Sequence, residues 1–224
     1  MTYTLAIAET LHERHPEAGL WSADASARAH ARSVVAEMHS GFGALRSACP
    51  MVLAHGWNFT PSDAVLADLA RIEALWESCR THATEGPWLF GQYSVADAFY
   101  APVAMRIAGF GLSVSVAARA YVEAHLGDLP FRRWRATSLA ENRPLEIYAL
   151  GYPHTPWPGP APRDAITVIG AKPINETGPF SGEAVSPDAL VKIDDTVIGL
   201  CNTFCRNKVA ADLDAWPEAI ALLP

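Results

Sequence analysis

Two cysteines four residues apart, Cys201 and Cys205 in the stretch Gly199-Leu-Cys201-Asn-Thr-Phe-Cys205, are the side chains with the most chemistry to offer. A thiol pair at this spacing supplies half of a tetrahedral zinc ligand set, or a couple that could be oxidised, with Arg206 as its basic neighbour. Further upstream, His39, Phe42 and Arg46 fall at i, i+3 and i+7, one face of a helix, where they either line a cleft or divide into a core aromatic and a solvated edge. Tyr100 and Arg106 offer a hydroxyl and a guanidinium with the same two readings. Ser94 and Asp97 have the spacing of a capping box and are read as structural. Thr4 precedes an apolar helical segment and suits an N-cap.

These residues need elements to hold them. From Asp24 to Met51 the residues Ala27, Ala31, Val34, Val35, Met38, Phe42 and Leu45 recur three or four apart, which predicts one long helix with Ser22 as N-cap and Pro50 at its far end. Pro61 opens a second helical pattern through Val65, Leu69, Ile72 and Trp76 to Cys79. After the breaker Glu85-Gly86-Pro87, a third helix begins at Ser94 and carries Pro102 inside it, where a kink is expected. Shorter helices are expected at Val114 to Leu126 and Leu129 to Leu139.

The prolines running from Pro144 to Pro162 suit neither a helix nor a central strand and read as a linker. Beyond it, Ala165 to Gly170 is β-branched, and Leu190 to Ile193 and Thr196 to Leu200 flank Asp194-Asp195 like a tight hairpin. The expected organisation is therefore a mainly α protein: a helical bundle over residues 1–143, a Pro-rich linker over 144–164, and a small α+β module over 165–224.

The chain has 224 residues, 50% of them apolar and 18% charged, with a formal charge of -7. That acidic balance gives a phosphate backbone or an anionic membrane no basic face to follow, so neither nucleic acid nor membrane is an expected partner. Met1 to Ala18 has no basic n-region and no long apolar stretch. Four cysteines in a chain of this length are too few for a disulfide framework, and a reduced, cytoplasmic protein is expected.

Three segments, Thr4 to Trp21 (TLAIAETLHERHPEAGLW), Ala27 to Met51 (ARAHARSVVAEMHSGFGALRSACPM) and Gly86 to Arg106 (GPWLFGQYSVADAFYAPVAMR), resemble the helical C-terminal half of bacterial glutathione transferases. The resemblance covers about the first two thirds of the chain. It implies that Thr4 occupies the position that holds the γ-glutamyl end of glutathione, with Tyr3 where an acidic residue is usual. It also implies that His39, Phe42, Arg46, Tyr100 and Arg106 are candidates for the electrophile cleft, and that a capping box at Ser94 and Asp97 belongs to the family's fold.

The thioredoxin-like half that carries the family's thiol-activating residue lies ahead of the resemblance, with Met1 read as an internal methionine. Glutathione would bind only where that half is present, and the chain alone is expected not to conjugate. The alternative is a non-catalytic binding or assembly module. Leu5, Ile7, Ala8 and Leu11 would then be uncovered and buried by self-association, giving a homo-oligomer.

The tail resembles the small treble-clef-like YHS or TRASH metal-binding modules. It departs from them over Asn175 to Gly182, where Gly178 stands about where a further cysteine belongs. Zinc at Cys201 and Cys205 would need Asp212, Asp214 or His154 to complete its ligands.

Overall fold

The structure is a computed structural model that describes residues 3–83, 85–143 and 146–224. Met1, and Pro144 and Leu145 at the head of the predicted linker, lie outside the described residues. The described residues are mainly α, with two small antiparallel sheets. It divides into two compact units, one formed by residues 1–125 with 150–158, the other by 126–149 with 159–224.

The first unit holds α1 (Thr4–Arg14), α2 (Ala25–Ser40), α3 (Gly43–Ala48), α4 (Asp63–Arg80), α5 (Val95–Gly109) and α6 (Val116–Gly127) as far as His125. Each core helix buries the stripe its periodicity defines: Ala27, Ala31, Val34, Val35 and Met38 on α2, and Val65, Leu69, Ile72, Leu75 and Trp76 on α4. α5 is apolar nearly all round and packs against α2; it runs through Pro102 without interruption. Burying such stripes is what holds short helices together in water.

The long helix expected from Asp24 to Met51 is two helices. α2 ends at Gly41, and Phe42 adopts a left-handed backbone with φ 59° before α3 starts. Apolar spacing survives the break because a sharp turn returns Phe42 and Leu45 to the same core. The cap of α2 is Asp24, whose carboxylate accepts from Ala27 N at 2.7 Å, while Ser22 Oγ accepts from Asp24 N at 3.3 Å. Ser62, one residue after Pro61, caps α4 through Val65 N.

Part of the predicted linker also pairs. β1 (Gly56–Trp57) and β2 (His154–Thr155) form an antiparallel bridge in which Gly56 faces Thr155 and Trp57 faces His154. Their neighbours form an aromatic cluster: His55 stacks on His154 at 3.7 Å, and Trp57 and Phe59 contact Phe110.

The second unit contains α7 (Leu129–Glu141), a three-stranded antiparallel sheet in the order β3 (Ile166–Val168), β4 (Leu190–Ile193) and β5 (Thr196–Gly199), then α8 (Thr203–Ala211) and α9 (Pro217–Ile220). β4 and β5 are the hairpin expected around Asp194-Asp195, with Asp194 left-handed at φ 50°. Val191, Ile193, Ile198, Leu200, Val209 and Leu213 form its core.

α7 differs in placement from the expected division. Its Ala136 is fully buried in this second core, and Arg132 makes a bidentate pair with Asp212 at 2.8 and 2.6 Å. Arg133 adds bonds to Glu218 and to the carbonyl of Ala215. Among the described residues, no helix is long and apolar enough to cross a membrane.

Candidate functional site

The residues singled out in the sequence do not converge on one cleft. Thr4 is the first residue of α1 and exposed; Tyr3 is the N-cap and makes no side-chain capping bond, so Thr4 is not the cap it was expected to be. His39 and Arg46 meet across the break between α2 and α3, where the Arg46 guanidinium donates to the His39 carbonyl at 3.0 Å, and both side chains are exposed. Phe42 between them is buried, so the i, i+3, i+7 face is not a continuous helical surface.

Tyr100 is fully buried in the helical core. Its hydroxyl donates to the Val34 carbonyl at 3.1 Å, and burial raises its pKa. Arg106 donates from Nε to the Cys49 carbonyl at 2.7 Å and from a terminal nitrogen to the Pro102 carbonyl at 3.0 Å, which ties the 49–51 segment to α5. Both therefore have structural partners.

Ser94 and Asp97 form the expected capping box at the start of α5. The Asp97 carboxylate, with no exposed surface, accepts from Leu89 N, Ser94 N, Ser94 Oγ and the Tyr121 hydroxyl, at 2.9 to 3.0 Å. Its desolvation outweighs these four donors and raises its pKa.

A serine and a histidine also meet. Ser78 Oγ lies 3.2 Å from His30 Nε2, but it also donates to the Leu75 carbonyl at 2.7 Å, so its proton is already engaged and His30 is not poised to remove it. Burial, and then His82, lower the pKa of His30.

Sequence reasoning missed a pocket of about 800 Å³ between α4 and α6. Trp76, Leu89, Tyr121 and the alanines at 70, 74, 117, 118 and 120 give it apolar walls, and Glu73, Glu77 and Arg80 supply its charges. Glu73 accepts from Ser115 N at 2.7 Å and Arg80 donates to the Trp88 carbonyl, so two of the three charged groups are held in place. Alanine suits a helix on any face, so Ala70 and Ala74 on the outward side of α4 carry no local sign of a concavity. A pocket of this size, mostly apolar with a few fixed polar groups, is the kind that takes a small organic ligand.

Beside it, His125 is fully buried among Trp88, Tyr93 and Tyr121, with Tyr121 at 4.6 Å and near-perpendicular. Neither ring nitrogen has a hydrogen-bonding partner among the described residues, and burial pushes its pKa down to about 4.

In the second unit the two thiols are close: Cys201 Sγ and Cys205 Sγ are 3.7 Å apart. Gly178 lies against Cys201, so that a β-carbon there would sit 3.1 Å from Cys201 N and 3.5 Å from Cys201 Cβ. Asp212 and Asp214 are committed to Arg132 and Arg163. Among the described residues, no group of three or more His, Cys, Asp and Glu is arranged to hold a metal ion. No family model matches the chain, and no curated protein matches it.

Proposed function

We propose that this chain is a glutathione-transferase-like protein whose first unit binds apolar small molecules in the pocket of α4 and α6, and that it does not conjugate them to glutathione by itself. The observation that carries this reading is that pocket, whose accessible apolar lining is Ala70, Ala74, Pro87, Ala117 and Ala120 over a floor of the buried Trp76, Leu89 and Tyr121. Acceptors of glutathione transferases are apolar electrophiles, and a pocket that releases water from such walls rewards their entry. Conjugation further requires a group that holds the glutathione thiol as thiolate, which the family keeps in its thioredoxin-like half. Thr4, which the resemblance places at the γ-glutamyl end of glutathione, offers one hydroxyl.

The test is conjugation of 1-chloro-2,4-dinitrobenzene by the chain, together with calorimetric titration of glutathione. The expected result is the uncatalysed rate and no heat of glutathione binding. A conjugation rate that saturates with glutathione would overturn the reading. A protein that also carries the family's thioredoxin-like half is expected to conjugate.

A second reading, an assembly module, is favoured by one face of α1. Ile7 and Leu11 on α1 and Tyr3 at its N-cap are 40, 44 and 69% exposed, whereas Ala8 is buried and Leu5 half-buried rather than uncovered as expected. Sedimentation should detect a homodimer that Ile7→Asp dissociates, and a strictly monomeric chain at all concentrations would sink this reading.

A further inference from the structure

We infer that Cys201 and Cys205 form a thiol–disulfide exchange site that reduces small disulfides and closes into an internal disulfide. Both cysteines are free thiols, and their sulfurs are at 3.7 Å. To form the bond the sulfurs must close from 3.7 Å to about 2.0 Å. The chain is built to allow it. Cys201 lies before the N-cap of α8, outside the helix, while Cys205 is inside its first turn.

Asn202, the N-cap, holds both partners in register. Its Oδ1 accepts from Cys205 N at 2.8 Å, and its Nδ2 donates to Cys201 Sγ at 3.4 Å. The nearby backbone is pinned as well, since Asn175 bonds both the N–H and the carbonyl of Gly199, each at 2.8 Å.

Exposure assigns the order of attack. Cys201 is half-buried and reachable, whereas Cys205 is 9% exposed and meets only what Cys201 has captured. Cys201 gives up its thiol proton to solvent and attacks one sulfur of a disulfide R–S–S–R. The R–S–S–R bond breaks, one RSH leaves, and a mixed disulfide remains on Cys201. Cys205, losing its own proton, then attacks the Cys201 sulfur, expels the second RSH and closes the Cys201–Cys205 bond. The balance is one R–S–S–R reduced to two RSH and two protein thiols oxidised to one disulfide. Cys49 and Cys79 do not compete: both are fully buried in the first unit, where a disulfide cannot reach their sulfurs, whereas Cys205, whose thiol burial also raises, needs to reach only the neighbouring Cys201 sulfur.

The experiment exposes the full chain to glutathione disulfide, alkylates remaining thiols and digests without reduction. Both cysteines fall in one tryptic peptide, Ile193 to Arg206. The expected result is that this peptide escapes alkylation and loses about 2 Da, with about two glutathione thiols released per chain. Cys205→Ser, its fold checked by circular dichroism, is expected to stop at a stable glutathione adduct on Cys201 with one thiol released. Alkylation of both cysteines in the wild-type peptide, or a glutathione adduct that persists on wild-type Cys201, would overturn the inference, and the wild-type result decides even if the variant does not fold.

Discussion

The Tyr121 hydroxyl donates to Asp97 Oδ1 at 3.0 Å, joining α6 to the buried capping box of α5. One carboxylate thereby fixes Leu89, Ser94 and the helix that walls the pocket. Tyr121→Phe keeps the ring contacts with Trp76 and His125 and removes only this donor. Unfolding in urea should show a loss of about 1.5–3 kcal/mol, the usual range for a bond to a charged group. A loss under about 0.5 kcal/mol would show that Asp97 does not depend on it.

His125 carries a pH signature. Its folded pKa, about 4, lies below the ordinary value of 6.5, so the unfolded chain takes up the proton first as pH falls. The neutral ring's contribution is fully present above pH 6.5 and is lost as pH drops towards about 4. The linked penalty is on the order of 3 kcal/mol at the acid end. His125→Phe should flatten the stability profile in that window relative to the wild type, as measured by thermal melts between the two pH values. An unchanged slope would place the acid sensitivity elsewhere.

In the second unit, the Arg132–Asp212 pair is the joint between α7 and the turn before α9. Asp212 is 2% exposed and also caps that turn through Ala215 N at 3.2 Å. Asp212→Ala leaves the Arg132 guanidinium, largely out of water, with only its 3.5 Å contact to Asp214, and should cost about 3 kcal/mol in denaturant unfolding. Adding Arg132→Met should recover part of that cost, because the stranded charge is gone; no recovery would mean that the loss comes from the cap.

The sequence was most readable where a pattern is local. The stripes of α2 and α4, the capping box at Ser94 and Asp97, and the hairpin around Asp194-Asp195 all follow from spacing of a few residues. It was least readable where the deciding partner is remote. Nothing near Arg132 and Arg133 in the sequence points to acids some eighty residues on, so the local pattern of α7 fits the helical bundle equally well. The two-residue β2 is too short to carry a strand signal, and its pairing with Gly56 and Trp57 closes across about a hundred residues of chain. Phe42 in a left-handed conformation is rare for an aromatic residue, so the residue type gives no sign of the break after α2. The pocket failed to announce itself for a related reason: its walls are alanines and core aromatics, each ordinary on its own helix.

Binding in that pocket is tested most directly by titrating the chain with N-phenyl-1-naphthylamine, a neutral apolar fluorophore, beside the variant Ala74→Trp. Ala74 lines the pocket from the exposed side of α4, so the larger ring fills the space without entering the core. Saturable binding by the wild type, weakened at least about tenfold by Ala74→Trp (about 1.4 kcal/mol) and unaffected by glutathione, is the expected result. Saturable binding of equal strength in both proteins, or none in the wild type, would contradict the assignment of the pocket as the ligand site.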